Sequence, residues 1–339
     1  MNRSNLKVRS ESMDSLKDAA EIVVKDCLAV EKGEEVVIVI DSKQEEIGDA
    51  IYQANQEIGA EVILMRMIKR DSHGTEPPAA IAQAIKEADV AIMPTTKSLS
   101  HTQARIEACK AGTRAVTLPG ITKEIMKRTL NADYKKIKLR SQNLADRLTT
   151  VNKAEITAPN GTELELDLTG RQGHADIGIY HQPGDFGNLP AGEAYIAPLE
   201  GTAQGKFVVD GSMSGFEVHT AKIELIVEEG YVSEIKGGAA AKKLKEIIAP
   251  YSQQARNIAE LGIGTNNKAQ LVGNILEDEK VMGTVHVAIG DNSTMGGKMK
   301  VASHLDGIIE QPTVKLAGEK IMEKGILTDE NDKKVNNLY

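Results

Sequence analysis

The sequence predicts an α/β fold: an N-terminal open parallel sheet with helices on both faces, then a C-terminal α+β half rich in antiparallel strands. Three observations carry this. Residues 35–41, Glu-Val-Val-Ile-Val-Ile-Asp, form a continuous apolar run, as in a parallel strand covered on both faces. Short apolar strands then alternate with helix-period segments to about residue 130. Beyond residue 150 the period becomes two, around turns such as Asn160-Gly161, a strong hairpin signal.

The elements follow in order. Residues 14–31 read as an amphipathic helix with Leu16, Ala19, Ala20, Val23, Val24 and Cys27 on one face. Strand 35–40 leads to helix 44–58, strand 61–68, helix 78–87 and strand 89–93. Helix 101–112, strand 114–118 and helix 122–130 come next. A Lys/Arg-rich helix closes this half, and the boundary is expected near residue 148. That gives a scaffold domain over 1–148 and a metal-binding catalytic domain over 149–339. The length of 339 residues suits about two domains of ~150 residues each. In the second half one hairpin turns at Asn160-Gly161, and another pairs 218–227 with 231–235. Helices are expected at 239–249 and 251–259, and strands at 284–289, 301–309 and 312–316.

Composition excludes several functions. Hydrophobic residues at 41% and charged residues at 27% give an ordinary globular balance. Aromatics are 3% and Trp is absent, too few for a base-stacking platform. A net charge of −8 repels phosphate backbones and anionic membranes and suits a bound cation. No nucleic-acid or membrane partner is expected. Cys27 and Cys109 fall in predicted helices and read as buried, reduced thiols, which suits a reducing cytosol. The first twelve residues lack the apolar core of a signal peptide, so a cytoplasmic location is expected. The parallel sheet invites a nucleotide, but the loop after the first strand is Asp-Ser-Lys-Gln-Glu-Glu. It has no glycine pattern for close phosphate approach, and Glu45 and Glu46 would repel one.

The chemistry-bearing residues lie in the last half. Asn-Leu-Pro-Ala-Gly precedes Glu193, a turn that aims its side chain. Glu260 precedes Leu-Gly-Ile-Gly-Thr at an expected helix end. His286 sits in the apolar strand Thr-Val-His-Val-Ala. His304-Leu-Asp306 puts two ligands on one face of a strand, because the strand period is two. Such nitrogen and oxygen donors suit a borderline divalent ion, and no cysteine is near. Singly, each has a plainer reading: a core histidine at 286, or a carboxylate with a structural partner at 260. Together the five fit a one- or two-metal centre. His73 and His101 read as solvent-facing loop residues, His174 and His181 as members of a Gly-rich loop that borders the cleft, and His219 as exposed in a hairpin. Glu277-Asp278-Glu279 reads as a solvated turn or as support for the ligands. Ser212 and Ser214 show no nucleophile signature.

At these residues the chain resembles the thermophilic aminopeptidase T family of metallopeptidases. The resemblance rests on Asn-Leu-Pro-Ala-Gly-Glu193, Glu260-Leu-Gly-Ile-Gly-Thr, His286-Val-Ala-Ile-Gly and His304-Leu-Asp306. It spans about residues 10–320 and is sharpest over 187–310. It implies a homodimeric, metal-dependent aminopeptidase acting on peptides. Glu193, Glu260, His286, His304 and Asp306 would hold one or two zinc, cobalt, manganese or magnesium ions. Glu193 or Glu260 would take a proton from the metal-activated water. Two departures stand out: the chain is shorter than the active family members, and Ser293 stands where they carry a Tyr. The chain also looks like a short branch of mononuclear iron ring-cleaving dioxygenases that act on dihydroxypyridines, which keep the His-x-Asp pair. The presence of both Glu193 and Glu260 leans toward the two-metal peptidase. A non-enzymatic metal- or ligand-binding dimer is the remaining alternative.

Overall fold

The computed structural model describes residues 15–216 and 222–328. The first layer follows the expected alternation: α1 (Leu16–Ile22), β1 (Glu35–Ile40), α2 (Glu45–Ile58), β2 (Glu61–Arg66), α3 (Ala79–Glu87), β3 (Val90–Met93), α4 (Gln103–Ala111), β4 (Arg114–Thr117), α5 (Lys123–Thr129) and α6 (Tyr134–Thr150). The first helix widens into a π-helical turn over Val23–Cys27. β1 shows why its run is apolar throughout. Val36, Ile38 and Ile40 pack into one core with α1 and α2, while Val37 and Val39 pack into another beneath α3 and α4. Cys27 is buried and free; Cys109 is free but only half-buried, at the rim of the second core.

The remaining strands are β5 (Lys153–Thr157), β6 (Glu163–Asp167), β7 (His174–Asp176), β8 (Phe186–Asn188), β9 (Glu193–Ile196), β10 (Gln204–Val209), β11 (Ile223–Glu228), β12 (Tyr231–Lys236), β13 (Ile258–Gly264), β14 (Val285–Gly290), β15 (His304–Ile309), β16 (Thr313–Leu316), β17 (Glu319–Glu323) and β18 (Ile326–Leu327). Two short helices join them, α7 (Gly238–Ile248) and α8 (Ile275–Asp278). The parallel sheet has the order β2-β1-β3-β4-β8. Two further sheets are antiparallel: eight strands in the order β12-β11-β10-β6-β5-β16-β17-β18, and five in the order β15-β14-β13-β9-β7. A single apolar core lies between these two. Among the described residues no helix is long and apolar enough to cross a membrane.

Three sequence expectations need correction here. No helix covers 251–259: a four-residue 3-10 turn, Gln253–Arg256, gives way to β13. The segment Ile-Ala-Glu-Leu-Gly-Ile-Gly buries Ile258 before a bulge and then Leu261 and Ile263 at alternate positions in the core, and this strand pattern outweighs the helix propensity of Ala and Glu. Glu260 is therefore mid-strand, not at a helix end. Second, His174 lies on a short strand rather than in a loop. Third, Glu277 and Asp278 are fully buried, not solvated. Arg128 of α5 grips Glu277 with two hydrogen bonds of 2.7 and 2.6 Å, and Asp278 accepts from the amides of Val272 and Gly273. Residues 218–221 of the second hairpin, with His219, lie outside the described residues, as do residues 1–12.

Candidate metal centre

The five-stranded antiparallel sheet positions the site. Along β13, Leu261 and Ile263 point into the core, so Glu260, Gly262 and Gly264 share the opposite face. On β14, Val285, Val287 and Ile289 fill the core, which turns His286, Ala288 and Gly290 to the same side as Glu260. Register does the rest. Glu260 pairs with Ala288, which pairs with Asp306; Gly290 pairs with His304; Gly264 pairs with Glu193, which pairs with Asp176. One face thus carries carboxylates, imidazoles, one tyrosine, alanine, glycine and a single isoleucine, Ile308, opposite His286. The small residues leave the room that the ligating side chains occupy.

The five sequence-predicted residues converge. His286 Nε2 lies 3.3 Å from Glu193 Oε2 and 3.4 Å from Glu260 Oε1. His304 Nε2 lies 3.2 Å from Glu260 Oε2 and 3.2 Å from Asp306 Oδ1. Glu260 therefore bridges the two imidazoles. Two groups can each hold a cation, Glu193/Glu260/His286 and Glu260/His304/Asp306, with Glu260 common to both. All but His304, which is partly open, are buried.

The surroundings orient these donors. His304 Nδ1 makes a 2.7 Å hydrogen bond with the Asp291 carbonyl, so Nδ1 carries the proton and Nε2 is the atom turned to the cluster. Ser214 donates from Oγ to Asp306 Oδ2 at 3.2 Å and accepts from the Asp306 amide at 3.0 Å. Glu193 Oε2 is buried and has no hydrogen-bond partner. An unpartnered buried carboxylate oxygen beside an imidazole nitrogen fits a cation between them.

The electrostatics point the same way. Burial alone would lower His286, but Glu260, Glu193 and Asp306 outweigh it and raise its pKa from 6.5 to about 9. His304 is likewise pulled down by burial and lifted well above its ordinary value by Asp306 and Glu260. Burial would raise Glu260, yet the two imidazoles hold it down to about 2. Without metal, both imidazoles are thus protonated at neutral pH. A divalent ion brings the charge those two protons bring, so binding releases protons and tightens as pH rises.

A pH dependence follows. The stabilisation of the metal-free protein by His286 is full below its ordinary value of 6.5 and lost as pH rises through about 9. Its size is at most about 3 kcal/mol. Thermal unfolding of the metal-free protein is expected to shift to lower temperature between pH 6.5 and 9.5, while metal affinity climbs over the same window. A flat affinity profile would contradict the protonated imidazoles.

Several residues escaped sequence reasoning. Lys280 is 2% exposed, and its ammonium contacts Glu193 Oε1 at 2.5 Å, Glu279 Oε1 at 3.0 Å and Asp176 Oδ2 at 3.4 Å. Burial would lower its pKa, but these three carboxylates raise it well above the usual value. Burial raises Glu193 from 4.5 to about 8, against the opposing pull of Lys280. Tyr195, two residues past Glu193 on the same face, stacks on His174 with ring centroids 5.3 Å apart. His101 is exposed in a turn, as expected, and lies close enough to His304 and Asp291 for their charges to act on it. Ser293 is exposed and bonds Asp291. An Asp-x-Ser turn is legible in sequence; the burial of a lysine after three acids is not.

Comparison with known proteins discriminates between the two resemblances. A family model described as 2,5-dihydroxypyridine 5,6-dioxygenase (NicX) matches residues 16–329. A 2,5-dihydroxypyridine 5,6-dioxygenase of Pseudomonas putida KT2440 is 25% identical over 241 residues, 67% of each chain. A solved 2,5-dihydroxypyridine dioxygenase from the same organism superposes with a TM-score of 0.80 at 21% identity, covering 95% of this chain and 99% of that one. Wild-type AmpT from Thermus thermophilus superposes with a TM-score of 0.70 at 16% identity, covering 93% and 99%. The α/β fold with separate antiparallel sheets is thus shared with both. The likeness to aminopeptidase T holds at the level of fold, while the family match and the relative are dioxygenases. The expected aminopeptidase, hydrolase and protease activity and the peptide substrate are therefore corrected. The ligand set alone does not separate the two, because both resemblances share the His-x-Asp pair.

Proposed function

We propose that this chain, which belongs to the 2,5-dihydroxypyridine 5,6-dioxygenase (NicX) family, is an iron-dependent dioxygenase that opens the ring of a 2,5-dihydroxypyridine. The observation that carries the reading is the pair of imidazoles, His286 and His304, gathered with Asp306 about Glu260. Two histidines and a carboxylate with open positions is the donor set of non-haem iron oxygenases. A ferrous ion held there supplies the redox chemistry through which dioxygen reacts with an aromatic ring.

The chain's own residues do the rest. His286 and His304 offer Nε2, and Asp306, steadied by Ser214, offers an oxygen. Glu260 lies between the imidazoles, within reach of the same ion. In this reading it is a ligand; the proton-taking role expected of Glu193 or Glu260 is tied to peptide hydrolysis and is not carried over. The aromatic faces of Tyr195 and His174 suit a flat ring beside the ligands. Both atoms of O₂ enter the product as the C5–C6 bond breaks, and the ring supplies the electrons, so no external reductant is required.

The test is oxygen uptake. Metal-free protein reloaded with ferrous ion under nitrogen is expected to consume oxygen only when 2,5-dihydroxypyridine is present, with parallel loss of the ring's ultraviolet absorbance. Ferrous-loaded protein that consumes none would rule the reading out.

A further inference from the structure

Five carboxylates crowd one face of the five-stranded sheet: Asp176, Glu193, Glu260, Glu279 and Asp306. They divide into two halves. Glu260 and Asp306 face the imidazoles. Asp176, Glu279 and one oxygen of Glu193 face Lys280. Glu193 belongs to both halves, with Oε1 on the ammonium and Oε2 toward His286. Three converging carboxylates in a buried place are what a hard divalent ion takes as ligands. The two cation-holding groups of the imidazole side share Glu260, and Glu193 of the first is also held by Lys280, so a cation at the Lys280 position would adjoin the metal as in a two-metal centre.

The backbone is built to deliver a lysine there. A side chain at Gly264 would place its Cβ 2.0 Å from the Val281 carbonyl oxygen and 2.9 Å from the Lys280 carbonyl carbon. The Lys280–Val281 segment thus lies directly on β13, across a position with no side chain. The Asn266 amide fixes it by donating to the Lys280 carbonyl at 2.9 Å, and the Arg128–Glu277 pair and the Asp278 hydrogen bonds clamp the turn before it. On the far side, Tyr180 donates to Asp176 Oδ1 at 2.9 Å. A buried ammonium needs such compensation, since a charge left alone in the interior is strongly unfavourable.

We propose that Lys280 is a built-in cation that fills the second cation position of this face, and so holds the centre to a single metal ion. The proposal rests on the metal-centre reading above. Lys280 is a positioning residue here: it takes up Glu193 Oε1, Glu279 and Asp176, and leaves the ion to the imidazole side. Removing the ammonium while keeping the three carboxylates should open a second site next to the first.

Manganese(II) is the probe, because two neighbouring Mn(II) ions couple and broaden a paramagnetic resonance spectrum that an isolated ion gives as six lines. The wild type is expected to bind one equivalent and to give the isolated-ion spectrum even in millimolar excess of manganese. Lys280→Met should bind a second equivalent and show the coupled spectrum, and Lys280→Arg should restore one. Lys280→Met with a single equivalent at wild-type affinity would overturn the assignment. So would a wild type that takes two coupled ions, a result that stands even if Lys280→Met does not fold. A wild type that binds no divalent ion would instead bring down the metal-centre reading on which the proposal rests.

Discussion

His304→Ala is expected to abolish metal binding and the proposed ring cleavage while the fold survives. His304 Nε2 joins Glu260 to Asp306, and its Nδ1 is already committed to the Asp291 carbonyl. Removing the imidazole leaves Glu260 and Asp306 as neighbouring carboxylates with no donor nitrogen between them. Loss of a partner one step removed from a metal costs roughly 10–100-fold in affinity or activity, so loss of a ligand should exceed that, at about 10³-fold or more. The fold should persist because His304 opens β15 at the partly exposed end, and β15 reaches the core through Ile309 and Gly307, not through this ring. Metal content and steady-state turnover check the first part, and circular dichroism the second. Full metal occupancy in His304→Ala would show that the ion sits elsewhere.

Gly262→Ala should be almost as severe, although glycine 262 carries no functional group. It pairs with His286 across β13 and β14, and a Cβ there would lie 1.9 Å from His286 Nε2 and 2.1 Å from Cε1. No such contact is tolerated, and the imidazole is 1% exposed, with little space to retreat. Ligand constellations work within about 0.5 Å of their productive geometry, so a displaced ring loses its ion. Overpacking of this kind costs about 1–3 kcal/mol of stability, and metal affinity should fall about 10²-fold. The checks are a calorimetric melt and a competition titration with a chelator. Wild-type affinity in Gly262→Ala would mean that His286 does not ligate through the nitrogen facing that strand.

The first four strands of the parallel layer were legible because they are short runs bracketed by helix-period segments, and β1 buries both faces in separate cores; the fifth, β8, is Phe-Gly-Asn between two other strands and carried no such signal. The candidate cluster was legible because the His304-x-Asp306 spacing puts two donors on one strand face and glycine-rich neighbours mark Glu193, Glu260 and His286. Glu260 was misplaced on a helix end, since Ala, Glu and Leu favour helices locally and only burial of alternate residues against the second sheet reveals a strand. Lys280 was invisible for a related reason. A lysine after three acids normally faces water, and its burial depends on Gly264, sixteen residues away in sequence, leaving room for the crossing backbone. Without it, Glu193 looked like a free ligand and the site like a two-metal hydrolase.

The most direct measurement of the central claim is the fate of labelled oxygen. Ferrous-loaded protein turning over 2,5-dihydroxypyridine under ¹⁸O₂ in ordinary water is predicted to give a ring-opened product carrying two labelled atoms, read by mass spectrometry at early times. A product whose new oxygen comes from water, or an unopened ring after full reloading with iron, would contradict the account.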